Sequence, residues 1–472
     1  MVAGTVIPVG HFGCLTVDRW TRGTKNVLFA FLTHAHADHL HGLSEAWTGA
    51  PIYCSPATKE LLLIRWPEFR APLIPLELDE TVVLSCSTPC GQATVHVTPL
   101  DAHHCLGAVM FLFEGPFGRV LHCGDFRWEV DYQEQCLHPA LTSAAIDIIY
   151  LDNTYAHPRY DFPPRLQACH EVLKLVLSHP THRIVLGVDS LGKEELLAAV
   201  AAAAGERVWV PAGRFAALTL LGLPAQQLFT TDNSLARIVT LSRHQVTLQH
   251  LAKLNRERPT IAILPSGYCT YAPTPTAATA SSAYTEAADR SVLSETGNVN
   301  ARSSSHGEAG KAPGTITAQE IEAASRLLFK VPYSLHSSFL ELRSFVAALR
   351  PRQVIPTVSG LVDPALPTAS CNLFADLLAP HHGHEAELPN EKRTQAPLAP
   401  ALAAVAEGNY VPASEGMPCI RHDCMDGDLA MSQCLHAFGS GSADKYRQMS
   451  SWRKLYGRAK AVTKAGIFGD CT

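Results

Sequence analysis

A chain of 472 residues with 47% apolar and 17% charged side chains is long enough for two packed domains and too apolar to be disordered throughout. Its formal net charge of −5 excludes bulk attraction to nucleic acid, so a polyanionic substrate would need a local basic groove. The start, Met-Val-Ala-Gly-Thr-Val-Ile-Pro, lacks a basic region before an apolar core, and no apolar run reaches the ~18 residues of a membrane span, so no membrane partner is expected.

Fourteen cysteines raise the question of compartment. Cys54, Cys105 and Cys123 lie inside apolar segments, where a reduced, buried thiol is the default, and a reducing intracellular setting follows. Cys14–Asp18 reads as a strand ending in a carboxylate. Asp18 is either a plain surface acid or an acceptor that fixes the tautomer of a metal-binding histidine. Asn26–Leu32 is short, apolar and rich in β-formers, which predicts a buried strand. Directly behind it, Thr33-His34-Ala35-His36-Ala37-Asp38-His39 places four metal-competent side chains within six residues. A histidine-rich surface loop is the plain alternative. Four such residues leaving a buried strand favour a metal site, because neutral imidazole and carboxylate bind borderline cations at roughly 2.0–2.2 Å. On a tight loop His34 and His36 reach one ion, and Asp38 and His39 turn toward a second.

Ser55–Trp66 opens with a capping residue and Pro, which predicts a helix. Strands follow over Thr81–Ser85 and Ala93–Leu100. Next, Asp101-Ala102-His103-His104 links two strands and offers a further histidine ligand. Val120–His122 runs into Cys123-Gly124-Asp125, with Asp125 suited to bridge two ions, and Ile148–Leu151 runs into Asp152. Independent surface residues would not place His or Asp at successive strand ends this often.

Pro163–Leu177 carries an apolar helical stripe. After the strand Arg183–Leu186, Gly187-Val188-Asp189-Ser190-Leu191-Gly192-Lys193-Glu194 nearly matches the phosphate-binding pattern G-x-x-x-x-G-K-[ST], in strand–loop–helix context. Glu194 replaces the required hydroxyl and would repel a phosphate, which argues against a nucleotide. Contact of Ser190 and Lys193 with a backbone phosphate at the helix start is the expected role. From Tyr268 to about Thr317, Ala, Ser, Thr, Pro and Gly dominate, so a disordered insertion is expected. Order resumes at Lys330–Phe339, with a helix Phe339–Leu349 and a strand Val354–Val358. Past residue 372 the chain is Pro/Ala-rich and irregular. Cys419, His422, Cys424, Cys434 and His436 match no standard zinc-finger spacing, and Arg453, Lys454, Arg458, Lys460 and Lys464 form a diffuse basic end.

The segments around Asp18, His34, His104, Asp125 and Asp152 resemble the metallo-β-lactamase nucleases with a β-CASP cap, in the DNA cross-link repair branch. Tyr53–Pro56, Val109–Gly115, Gly124–Arg127, Leu151–Thr154, Ser190–Glu194, Pro259–Pro265 and Phe345–Leu349 carry that resemblance over residues 5–268 and 328–360. It implies an α/β fold, the metallo-β-lactamase αββα sandwich with an inserted cap and a disordered C-terminal tail. The implied domains are 1–158 and 328–371 for the sandwich, 159–327 for the cap with 268–317 as its insertion, and 372–472 for the tail. It further implies zinc, as one or two divalent ions. One ion falls to His34, His36, His104 and bridging Asp125, the other to Asp38, His39, Asp125 and His336. Asp18 and Asp152 orient the ligands, with direct metal binding by Asp152 left open.

Ser337 and Ser338, with Ser190 and Lys193, are the expected pocket for a terminal 5′ phosphate. Val358 stands where DNA-acting members carry valine. Leu106, Ala108 and Leu335 depart from the family's residues without removing a ligand. The implied function is a nuclear, metal-dependent 5′-to-3′ DNA exonuclease of cross-link repair and end processing, acting on single strands or processed 5′ ends beside other repair proteins. A hairpin-opening endonuclease and a catalytically decayed scaffold are the alternatives. The resemblance also leaves a telomere role open, but the Tyr-x-Leu-x-Pro motif by which the 5′ exonuclease branch docks on a telomere protein begins at none of the twelve tyrosines, which counts against that role.

Overall fold

The computed structural model describes residues 4–379, apart from residues 22, 130–136, 221, 235, 269–315 and 359–369. The chain divides into two units, Met1–Pro380 with Lys445–Thr472, and His381–Asp444; the second unit lies outside the described residues. The cysteine–histidine cluster of the tail, its basic end and most of the expected insertion also lie outside them.

Three sheets build the first unit. The first takes β1 (Thr5–Val9), β2 (Gly13–Val17), β3 (Val27–Phe31), β4 (Ile52–Cys54) and β5 (Leu73–Pro75) in that order. The second contains β6 (Val82–Thr88), β7 (Gly91–Asp101), β8 (Val109–Gly115), β9 (Gly118–His122), β10 (Ile148–Leu151) and β17 (Gln353–Pro356), ordered β17-β10-β9-β8-β7-β6. Side chains alternate faces along a strand, so strands buried on both faces read as unbroken apolar runs. In β3, Phe29 and Phe31 turn inward to meet Phe111 and Phe113 of β8, joining the two sheets face to face. Ala30 and Leu32 turn outward under the helix Pro56–Arg65, where they meet Leu62. The opposite face of the second sheet, with Leu112, Leu121 and Ile149, is covered by Phe345 and Val346 of the helix Phe339–Leu349. The result is the expected αββα sandwich.

The cap is a parallel sheet of β11 (Arg183–Gly187), β12 (Val208–Trp209), β13 (Phe229–Thr230), β14 (Ile238–Leu241), β15 (Thr260–Pro265) and β16 (Leu328–Val331), ordered β13-β12-β14-β11-β15-β16. The helices Arg165–Ser178 and Glu194–Ala204 cover one face, and Leu248–Glu257 the other.

Three expected boundaries shift. Residues 328–331 belong to the cap sheet, since β16 pairs in parallel with β15 from Ala262↔Leu328 to Pro265↔Val331. The sandwich does not end at 371, because a 3-10 segment Ser370–Leu377 packs Phe374, 2% exposed, against the core of Phe345 and Leu349, with Leu373 and Leu377 beside it. Arg343 ties that segment down through the Leu373 carbonyl at 2.7 Å. Thr317, expected inside the disordered insertion, instead caps the helix Ala318–Ser325 by a reciprocal capping box with Glu320.

Candidate metal centre

At the ends of β2, β3, β7, β9 and β10 the chain leaves the sandwich on one edge, and the expected ligand residues meet there. Asp18 turns in the left-handed region, φ 52°, a conformation aspartate tolerates. Its carboxylate accepts the Thr33 backbone N–H at 2.8 Å and the Thr33 hydroxyl at 2.7 Å. Gly124, φ +55°, has to be glycine: a Cβ there would stand 2.9 Å from the Thr33 side chain. That close approach brings the turn before Asp125 against the histidine loop.

Five imidazoles surround Asp125, each with its outer nitrogen held. His36 Nε2 donates to the Leu191 carbonyl at 3.0 Å, and His104 Nδ1 to the Leu335 carbonyl at 3.0 Å. His39 Nδ1 donates to Asp18 Oδ2 and His336 Nδ1 to Asp152 Oδ2, each at 2.7 Å. Because the Thr33 hydroxyl gives its proton to Asp18, it accepts from His34 Nδ1 at 3.0 Å. Carbonyls and carboxylates only accept, so these contacts fix the tautomers. In each neutral ring the inner nitrogen is then a lone pair. His36 Nδ1 lies 2.9 Å from His34 Nε2 and 3.1 Å from His104 Nε2. His39 Nε2 lies 3.3 Å from Asp125 Oδ1, while Asp125 Oδ2 is 3.7 Å from His34, 3.8 Å from His104 and 4.0 Å from His336.

Lone pairs at such separations repel one another unless a cation lies among them. His39 Nε2 is also buried with no hydrogen-bond partner, an unusual state for a buried nitrogen. Burial holds His34 and His104 well below the usual histidine pKa, and each is lowered further by a neighbouring histidine, His39 and His336 respectively. Burial lowers His36 as well. For Asp125, burial opposes the charge, but His39 and His336 outweigh it and hold the carboxyl well below its usual range. His39 is buried too, yet Asp125 and Asp18 raise it well above the ordinary value. Without an ion the ionised Asp125 thus favours a proton on His39, and a divalent metal supplies that positive charge instead, so imidazole nitrogens around an ionised carboxylate fit a divalent metal.

Other expected residues stand around this set. Asp38 stands at the rim, 57% exposed at its side chain, with its carboxylate 3.9 Å from His39 Nε2. Asp152 spends its oxygens on His336, on the Thr154 backbone N–H at 3.0 Å and on the Thr154 hydroxyl at 2.6 Å, which suits an orienting role. His103 faces Asp101 at 3.7 Å, away from the cluster. Cys105, unassigned by the sequence, offers a sulfur to the group of His34, His36 and His104, but burial pushes its thiol pKa well up.

The serines beside His336 do not form a phosphate pocket. Ser337, 1% exposed, donates to the Phe126 carbonyl at 3.2 Å and accepts from the Trp128 N–H at 2.9 Å. Ser338, also 1% exposed, caps its helix by a capping box with Glu341. Both hydroxyls are consumed by these internal hydrogen bonds. Arg127, itself buried, braces the same segment through the Ser334 carbonyl at 2.9 Å and Glu341 at 2.8 Å.

In the cap loop, Ser190 is exposed, but Lys193 is buried with its ammonium 3.5 Å from Asp189. Glu194 accepts the Gly192 N–H at 2.8 Å and pairs with buried Arg214 at 2.6 Å, and Arg214 also donates to the carbonyls of Asp189 and Gly192. This closed network presents the Leu191 carbonyl to His36. Sequence reasoning missed Leu191, Leu335 and Arg214, because a backbone carbonyl carries no side-chain signature and Arg214 lies 20 residues beyond its partner.

Fold and site together define a metallohydrolase of the metallo-β-lactamase type with a second, inserted domain. Residues 18–210 match the family described as beta-lactamase superfamily domain, and residues 224–361 match DNA repair metallo-beta-lactamase. The chain is 37% identical over 358 residues to the 5′ exonuclease Apollo of Gallus gallus, across 76% of this chain and 64% of that protein. The corresponding protein of Rattus norvegicus is 34% identical, across 75% and 55%. The DNA cross-link repair protein SNM1 of Arabidopsis thaliana is 32% identical, across 73% and 64%. The chain thus spans less than two thirds of the length of these relatives. It carries a metallo-β-lactamase domain and a DNA repair metallo-β-lactamase domain, a fold that implies binding of divalent metal. Among the described residues, no helix is long and apolar enough to cross a membrane.

Proposed function

We propose that this protein is a metal-dependent 5′-to-3′ DNA exonuclease acting in interstrand cross-link repair and end processing. The observation that carries the reading is the set of five tautomer-fixed imidazoles aimed at Asp125. His34 Nε2, His36 Nδ1, His104 Nε2 and Asp125 would hold one ion, and His39 Nε2, His336 Nε2, Asp125 and rim Asp38 a second. A nitrogen-rich set with carboxylate oxygen favours zinc. Divalent ions there would offset the charge of a phosphodiester and lower the pKa of a water toward ~7.

The chain's own part is orientation. Asp18 aims His39 and, through Thr33, His34; Asp152 aims His336; the cap and the segment before His336 aim His36 and His104 by backbone carbonyls. Of the four residues expected to hold a terminal phosphate, exposed Ser190 retains that role best. The relatives named 5′ exonuclease Apollo support the exonuclease reading, and a nuclear location with DNA as the main partner goes with it. A telomere role lacks the docking motif.

The test is digestion of single strands ending in 5′ phosphate, 5′ hydroxyl or a hairpin, with and without chelator. The expected result is chelator-sensitive loss of nucleotides from the 5′ end, fastest on the phosphorylated strand. Efficient opening of hairpins or cutting of closed circles would make the protein an endonuclease, and no hydrolysis with metal bound would leave it a scaffold.

A further inference from the structure

Beside the metal centre, and used by none of the chemistry above, lies a cluster of tyrosines. The Tyr155 ring is 5.9 Å from the ring of His336, 5.1 Å from Tyr160 and 5.0 Å from Tyr268, and Tyr160 and Tyr268 are 6.0 Å apart. Burial grades across the cluster. Tyr155 is 4% exposed and packs on Phe162, Tyr160 is half-buried, and Tyr268 is 48% exposed. The inner ring is core. The outer two are partly exposed aromatics held against it, so ring surface stays open beside the metal centre.

Cations flank these rings. The Arg159 guanidinium lies 4.7 Å over the Tyr160 ring and 2.8 Å from its hydroxyl. Arg243, 43% exposed at its side chain, is 3.8 Å from Asp189 and close enough to act electrostatically on both Tyr155 and Tyr268. Flat apolar rings edged by positive charge, next to a centre suited to a phosphodiester, match an unstacked nucleobase joined to its backbone. Bases inside a duplex have no free face to offer.

We infer that Tyr268 and Tyr160, backed by Tyr155, form a stacking subsite for one nucleobase of a single strand whose phosphate lies at the histidine–aspartate centre. The inference rests on the nuclease reading and names where the strand is gripped. Stacking is blind to base identity, so the subsite selects an unpaired end rather than a sequence. It also gives an acidic protein a means of holding DNA that does not depend on net charge.

The experiment crosses protein and substrate changes. Tyr268→Ala and Tyr268→Phe are compared with the parent on a 5′-phosphorylated single strand, intact or with one abasic residue at each of the first four positions. At one position, the parent should lose about tenfold in kcat/KM on the abasic strand, mostly in KM. Tyr268→Ala should lose the same on the intact strand and nothing further on the abasic one, and Tyr268→Phe should restore the parent's behaviour. Equal losses on intact and abasic strands, or none on either, would overturn the subsite. Fluorescence anisotropy with non-hydrolysable phosphorothioate strands repeats the comparison as binding, so absence of hydrolysis would end the nuclease reading and still test the stacking.

Discussion

Two loops of this molecule look alike in sequence and differ in what they leave over. The histidine loop follows β3, the cap loop Gly187–Glu194 follows β11, and both put polar residues directly behind a buried apolar strand. In the histidine loop, outer nitrogens are tied to neighbours and inner ones are left as lone pairs facing a common point. In the cap loop, Glu194 takes up Arg214 and the Gly192 N–H, and Lys193 pairs with Asp189. A loop binds a ligand through the polar atoms its own fold does not use. The first loop is built to bind, and the second is a strut that presses a carbonyl onto the first.

Removing the shared carboxylate should produce the largest effect. Asp125→Ala leaves several nitrogen lone pairs without their common anion, so activity should fall by at least about a thousandfold and metal content should drop. Asp152→Asn, which still holds the His336 ring but without charge, should cost only about 10–100-fold in activity or metal affinity. Elemental analysis and initial rates check both. If Asp152→Asn matched Asp125→Ala, Asp152 would be a direct ligand.

Breaking the strut comes next. Arg214 and Glu194 are each nearly inaccessible, so removing one partner leaves a buried charge alone. Glu194→Ala or Arg214→Met should destabilise the protein by about 3–5 kcal/mol in urea unfolding, and the double substitution by less than either single one. If the strut also orients His36, a metal titration on the folded double variant should show affinity reduced about tenfold or more. Unchanged affinity would make the pair a support of the cap alone.

What could be read from the chain follows from these physical differences. Strands buried on both faces declare themselves as apolar runs, so β3, β8 and β9 were visible, and carboxylates at strand ends marked Asp18, Asp125 and Asp152. The helix Phe339–Leu349 was legible to its end residues. Ser337 and Ser338, expected in a phosphate pocket from their place beside His336, carry a plainer signal. Ser338-x-x-Glu341 is a capping box, which consumes the hydroxyl and the backbone N–H a phosphate would need. Leu373, Phe374 and Leu377 are spaced to cover one face, but the Pro/Ala-rich residues beyond them diluted the pattern.

The capping role has its own test, of smaller size. Ser338→Ala removes a cap, not a phosphate ligand, so it should cost about 1 kcal/mol of stability and lower the melting temperature. Preference for a 5′ phosphate over a 5′ hydroxyl should stay as it was. A preference that narrowed without loss of stability would return Ser338 to the substrate.

The smallest expected effect separates the two loops most sharply. Lys193 is the residue that made the cap loop resemble a phosphate-binding one, yet its side chain is buried against Asp189, and burial lowers its pKa. A lysine that grips a backbone phosphate of a single strand contributes about 0.7 to the slope of log affinity against log salt. Lys193→Met should therefore leave that slope unchanged and alter KM by less than about threefold. Ser190→Ala, at the exposed tip of the same loop, should alter KM more than Lys193→Met does. If Lys193→Met flattens the salt dependence by one phosphate's share, the ammonium leaves Asp189 for the strand, and the cap loop binds substrate as well as bracing His36.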